Sequence, residues 1–235
     1  MDNQALNTIC QQLQAVKQRI TQAEQQYGRI PGSVKLLAVS KYQALDQVLT
    51  AINCQQHDFG ESYLNEALSK ITHCPHDEIR WHYIGPIQSN KTKRIAQHFS
   101  WVHSVDRLVI AKRLNDQRPP TLAPLNICLQ INISNEDSKS GCPLSMLPEL
   151  AHAITHLPHI KLRGLMAIPA KSTDFDTQRE NFHQISQAKA SLIASGIPLD
   201  TLSMGMSMDL EAAIAEGATM VRVGTAIFGP RPITT

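Results

Sequence analysis

The side chain best placed to do covalent chemistry is a lysine. In the stretch VKLLAVSKYQ, Val34 to Gln43, the apolar run Leu36–Val39 passes into Ser40 and then Lys41. An amine at the tip of a core strand ordinarily meets water, because a lysine buries its stem and keeps its head solvated. Desolvated at the rim of a rigid scaffold, the same amine loses its proton and condenses with an aldehyde to form a Schiff base.

A second group of residues points to an anion. In MVRVGTAIFG, Met220 to Gly229, Arg222 is followed by Gly224 and Thr225. A glycine lets backbone approach a ligand, and the N–H groups that open a helix bind phosphate. SMGMS, Ser203 to Ser207, ends on a hydroxyl that adds a donor. An aldehyde-reactive lysine and a phosphate cradle suit a ligand carrying both groups, and pyridoxal 5′-phosphate is one. Arg222 would then donate to the ring nitrogen, since a guanidinium has no proton to lose near neutrality. A sugar-phosphate aldolase uses the same two groups, so these residues alone leave both readings open.

The elements that must hold these residues alternate. Apolar spacing at Leu6, Ile9, Leu13, Val16 and Ile20 predicts a helix over residues 2–27, stopped by Gly28 and Pro31-Gly32. Eight β-prone runs follow, at Leu36–Ser40, His57–Gly60, Trp81–Gly85, Trp101–Val105, Ile127–Ile133, Leu162–Ile168, Leu202–Gly205 and Met220–Val223, with helix-like segments between them. Repeated β–α units imply a parallel sheet with helices outside it. Eight of them predict a single (β/α)8 TIM barrel domain over residues 1–235, with residues 1–30 as an N-terminal helix packed on it; an open doubly wound sheet is the alternative. Strand ends in such barrels carry the active site, and the loops after strands seven and eight commonly hold phosphate. Lys41 follows strand one, Ser207 strand seven and Gly224 strand eight.

The motifs LLAVSK, HYIGPIQSNK, INISNEDSKSG, LRGLMAIP, LSMGMS and TMVRVGTAIFG occur in that order over nearly the whole chain. Together they resemble the pyridoxal phosphate homeostasis protein family, whose fold is similar to the barrel domain of alanine racemase. The resemblance implies that Lys41 carries pyridoxal 5′-phosphate as an internal aldimine and that Arg222 faces the pyridine nitrogen. It also implies that Ser207, Gly224 and Thr225 hold the phosphate, with Ile84 beside the ring. Two positions depart from the family pattern. Ser62 stands where GEN is usual, and Met208 stands where an acidic residue is usual, ahead of a retained Asp209.

With 235 residues, 42% hydrophobic and 18% charged, and a net charge of +2, the composition is that of a soluble globular chain. Lysine and arginine are scattered, which argues against nucleic acid, and no apolar run is long enough to span a membrane. Five cysteines without a CxxC read as reduced thiols in a cytoplasmic protein. HAITH lacks the glutamate of HExxH, and HCPH has no second cluster, so no metal is expected. The KSG segment, Lys139 to Gly141, reads as a loop after strand five. An amino-acid racemase is the competing function, but two-base racemisation needs a group on each ring face. Tyr63, Tyr83 and His82 are weak candidates, more plausible as packing or surface. The reading is therefore a cofactor-binding monomer that stores pyridoxal phosphate and delivers it to apo-enzymes.

Overall fold

The computed structural model of the chain describes residues 3–133 and 140–230, so Lys139 lies outside the described residues. Eight strands alternate with helices: β1 (Lys35–Val39), β2 (Asp58–Glu61), β3 (Arg80–Tyr83), β4 (Trp101–Val105), β5 (Leu125–Asn132), β6 (Ile160–Met166), β7 (Thr201–Ser203) and β8 (Met220–Val223). Every neighbouring pair is parallel, and β8 pairs back onto β1 with Leu37 opposite Arg222, which closes the barrel. A two-residue strand at Cys142–Pro143 adds only to the end of β5.

The expected strands are present, with ends shifted by a few residues. β3 stops at Tyr83, short of the anticipated Gly85. Ile84 still donates its N–H to the Glu61 carbonyl at 2.8 Å, but Gly85 turns against the loop that follows β2. A Cβ on Gly85 would sit 2.1 Å from the Ser62 carbonyl oxygen, so only glycine permits this approach.

Helix α1 (Asn3–Gln26) buries Ile9, Leu13, Val16, Ile20 and Ala23 along one face. Each of the larger side chains contributes about 1.5–3 kcal/mol by leaving water. Gly28, at φ 62°, ends the helix in the left-handed region that glycine adopts without penalty. The buried Glu24 then accepts the N–H groups of Gly32 and Val34 at 2.9 and 2.8 Å, steering the chain into β1.

Between the strands run α2 (Leu45–Asn53), α3 (Leu64–His73), α4 (Thr92–His98), α5 (Leu108–Gln117), α6 (Leu147–Thr155), α7 (Phe175–Ala194) and α8 (Leu210–Ala215). The last, α9 (Thr225–Phe228), is a single turn, and α1 packs against α2, α8 and α9. The main apolar cluster joins outward-facing strand residues such as Phe59, Val102 and Leu129 to the helices. The barrel interior differs. A small separate cluster of Trp101, Cys128 and Met166 lies there, and Asp58, His82, His103, Ser203 and Arg222 are buried with it. Among the described residues, no helix is long and apolar enough to cross a membrane.

Reduced thiols were the expectation for all five cysteines, and the structure corrects it at two of them. Cys10 of α1 and Cys54, just after α2, are joined as a disulfide with Cα atoms 5.7 Å apart. Their separation of 44 residues hides a proximity that exists only once α1 packs on α2.

Candidate functional site

Strand direction decides where the expected site residues fall. Because all eight strands run parallel, residues just beyond their C-terminal ends share one rim. Lys41 follows β1, Ile84 follows β3, Ser207 lies in the loop after β7, and Gly224 and Thr225 follow β8 into α9. Arg222 sits one layer deeper, in β8 itself. The ends of β1 and β8 are pressed together, since a Cβ on Gly224 would lie 3.0 Å from the carbonyl oxygen of Val39. Ile84 reaches inward: its Cδ1 lies 3.2 Å from where a Cβ on Gly60 would be, close to Leu37.

Arg222 is 4% exposed. Its Nη1 donates to both the carbonyl and the hydroxyl oxygen of Ser203, and its Nη2 donates to the Ala167 carbonyl at 2.9 Å. Three of five N–H hydrogens are thereby engaged, which leaves two for a ligand. Burial lowers its pKa to about 10, opposed chiefly by the charge of Asp209, so the guanidinium is still cationic at neutral pH.

The turn carrying Lys41 is held from below. The Ser40 hydroxyl donates to Glu61 at 2.6 Å, and Lys70 of α3 donates to the Ser40 carbonyl at 2.7 Å. Lys70 also pairs with Glu61 and with Glu66. Glu66 in turn accepts the N–H of Tyr42, a non-glycine residue at φ 66°. That conformation is uncommon outside glycine and tends to occur where surrounding contacts impose it. Burial raises the Glu61 carboxyl, against the pull of Lys70 and the Ser40 hydroxyl.

On the β7 side of the rim, Arg19 of α1 donates to the backbone carbonyl of Ser207 at 3.1 Å and makes a two-point contact with Glu211 of α8. Asp209 accepts the N–H of Met206, bracing the same loop. Met208, the residue that departs from the expected pattern, points its side chain into solvent at 81% exposure. Ser62, the other departure, packs its backbone against Gly85.

The three side chains weighed as second bases have other partners. Tyr83 is buried, donates to the Pro86 carbonyl at 3.1 Å and lies edge-on to Phe99, with burial raising its hydroxyl to about 12. The Tyr63 hydroxyl is hydrogen-bonded to that of Tyr42. His82 is wholly buried, stacked on Trp101 and bonded to Asp58 and His103.

Asp58, Glu61, Lys70, His103 and Arg19 did not stand out in the sequence. A signal existed for two of them, because period-two alternation puts Asp58, His82 and His103 on the inward face of β2, β3 and β4, where apolar residues are the rule. For Arg19 and Lys70 no local signal exists, since a helical arginine or lysine is ordinarily a solvated one.

The model of the family described as alanine racemase, N-terminal domain, matches residues 11–232. The chain is 53% identical to the pyridoxal phosphate homeostasis protein of Pseudomonas aeruginosa, over 96% of this chain and 97% of that protein. It is similar to the solved structure of PipY from Synechococcus elongatus with pyridoxal phosphate bound, at a TM-score of 0.82 and 32% identity, covering 94% of this chain and all of PipY. Alanine racemase of Corynebacterium glutamicum shares the fold, at a TM-score of 0.71 and 18% identity, with 97% of this chain covering 61% of that enzyme.

Proposed function

Because this chain belongs to the pyridoxal phosphate homeostasis proteins, within the family of the alanine racemase N-terminal domain, we propose that Lys41, Ile84, Ser207, Arg222, Gly224 and Thr225 form its pyridoxal 5′-phosphate site and that it keeps and hands on this cofactor. The observation that carries the reading is the meeting, at one barrel rim, of the lysine after β1 with the buried guanidinium of β8 beneath Gly224.

The residues fit the group. A Cβ on Gly224 would crowd the Val39 carbonyl oxygen, so a glycine here keeps β8 close against β1 and brings the first backbone N–H groups of α9 to the rim, where a phosphate can meet them. Arg222 has donors to spare and is already fixed by three bonds. When bound, pyridoxal phosphate supplies an aldehyde for an amine and an electron-withdrawing ring. Lys41 provides the amine, held in place by the clamp on Ser40 and Tyr42. Arg222 donates to the ring nitrogen and leaves it unprotonated, which weakens the ring as an electron sink. Ser207 and Thr225 donate to the phosphate, and Ile84 packs at the ring.

Storage and delivery are favoured over turnover by the candidate bases. The Tyr63 and Tyr83 hydroxyls are bonded to neighbouring protein groups, and His82 lies within the barrel, below the rim. Handing on to apo-enzymes, a monomeric working state and a cytoplasmic location belong to the same reading. The test is borohydride reduction of the yellow protein with peptide mapping, followed by transfer to an apo-enzyme and an amino-acid racemisation assay. The pyridoxyl mass on the Lys41 peptide with transfer and no racemisation is the expected result. Label on another lysine, or turnover at enzymatic rates, would overturn it.

A further inference from the structure

The barrel interior holds an unbroken hydrogen-bonded chain from one face to the other. Arg222 Nη1 lies 2.9 Å from Ser203 Oγ, which lies 2.8 Å from His103 Nδ1. His103 Nε2 lies 2.9 Å from His82 Nδ1, and His82 Nε2 lies 3.0 Å from Asp58 Oδ1. Asp58 closes the chain with a two-point pair to Arg80, at 2.7 and 2.6 Å. Asp58 and Arg80 line a cavity of about 290 Å³ at the opposite, N-terminal face of the barrel. His82, His103 and Ser203 are all fully buried.

With both histidine rings neutral, the ends of this chain dictate the sense of every bond between them. A guanidinium only donates and an ionised carboxylate only accepts. Arg222 therefore donates to Ser203, and the single Ser203 proton goes to His103 Nδ1. His103 must then carry its proton on Nε2 and donate to His82 Nδ1. His82 likewise carries its proton on Nε2 and donates to Asp58. Each neutral ring then has one permitted tautomer. Protonating His82 on Nδ1 would set two N–H groups against each other at 2.9 Å.

We propose that His103 and His82 are positioning residues for Arg222, linking its guanidinium through Ser203 to the carboxylate of Asp58, itself anchored by Arg80. A carboxylate placed directly beside Arg222 would compete for the donors that a ligand needs. Moving the negative charge to the far end of the chain leaves those donors toward the rim. The aligned dipoles between the two charges reinforce one another in a low-dielectric interior. Burial holds both histidines below their ordinary range, which agrees with neutral rings. The inference rests on the reading that Arg222 faces the cofactor ring.

Two measurements test it. In the cofactor-free protein at neutral pH, nitrogen NMR of the histidine rings should show both as neutral Nε2–H tautomers. In the loaded protein, Ser203→Ala and His103→Phe should each speed cofactor release by about tenfold and shift the visible absorption maximum. The two backbone carbonyls that also hold Arg222 keep the change from being larger. His103→Gln, which can accept and donate at similar spacing, should return release to within about threefold of wild type. Wild-type release and spectrum in Ser203→Ala, which is small enough to fold, would overturn the inference. So would an Nδ1–H tautomer on either ring. Failure of the parent reading looks different: borohydride would leave no label on Lys41 in the unaltered protein, whatever the histidine tautomers.

Discussion

Glu61 and Lys70 lie 2.8 Å apart, with side-chain exposures of 0% and 5%, directly beneath the turn that carries Lys41. The second carboxylate oxygen of Glu61 has no hydrogen-bond partner among the described residues. Removing the amine therefore leaves a buried carboxylate with only the Ser40 hydroxyl. Lys70→Met is expected to cost about 3–5 kcal/mol in urea unfolding, and Glu61→Gln with Lys70→Met should recover a large part of it. A loss below about 1 kcal/mol in the single variant would show that the pair does not brace the turn.

Lys41 itself is half-buried at the rim and lies outside the apolar core. Lys41→Ala should abolish borohydride-stable attachment of the cofactor while the circular dichroism spectrum and urea midpoint stay near wild type. Retained label in this variant would assign the attachment to a different lysine.

Arg19 ties α1 to the Ser207 loop at its backbone carbonyl, so its removal should be felt more by ligand than by fold. The Arg19–Glu211 pair is 38% exposed on each side and is screened accordingly. Arg19→Ala is expected to change unfolding free energy by less than about 1 kcal/mol and to loosen cofactor retention about threefold. The check is dialysis of the loaded variant beside wild type. Equal retention would separate α1 from cofactor binding.

The buried histidines set an acid limit. His82 and His103 titrate near 6.5 in the unfolded chain and lower when folded, because burial disfavours their charged forms. Between those values the unfolded state binds more protons, so stability rises with pH. It is complete above about pH 6.5 and is lost as pH falls below that. Burial would raise the Asp58 carboxyl, but the bonds from Arg80 and His82 outweigh it and hold it well below the usual range, so its own contribution fades only in stronger acid, below about pH 4. The Tm should therefore drop between pH 7 and pH 5, with a shallower slope in His103→Gln. Parallel slopes would place the acid sensitivity elsewhere.

The Cys10–Cys54 bridge closes a loop across 44 residues and pins α1 to α2. Chain-entropy arguments give such a loop up to about 4 kcal/mol of stabilisation. Peptide mapping without reductant should find the linked pair, and reductant should lower the Tm. Cys10→Ser should show the lower Tm with or without reductant. Two free thiols at these positions in air-exposed protein would contradict the bridge.

The amino-acid sequence alone determined what depends on near neighbours. Period-two runs broken by helical ones specify alternating elements, and eight such units leave a parallel barrel as the closed way to bury both sheet faces. The glycine-punctuated β8 motif and the lysine after β1 were legible because each departs from local expectation at a strand end. Other features needed closure of the barrel. His103 and Ser203 are 100 residues apart, and Arg19 and Ser207 are 188 apart. Cys10 and Cys54 meet only where α1 packs on α2. No local pattern encodes such contacts, because their energy exists only after β8 has paired with β1 and α1 has packed on the outside. What tertiary structure decided is the wiring of the barrel interior: which buried carboxylate pairs with which cation, and which histidine nitrogen meets which neighbour.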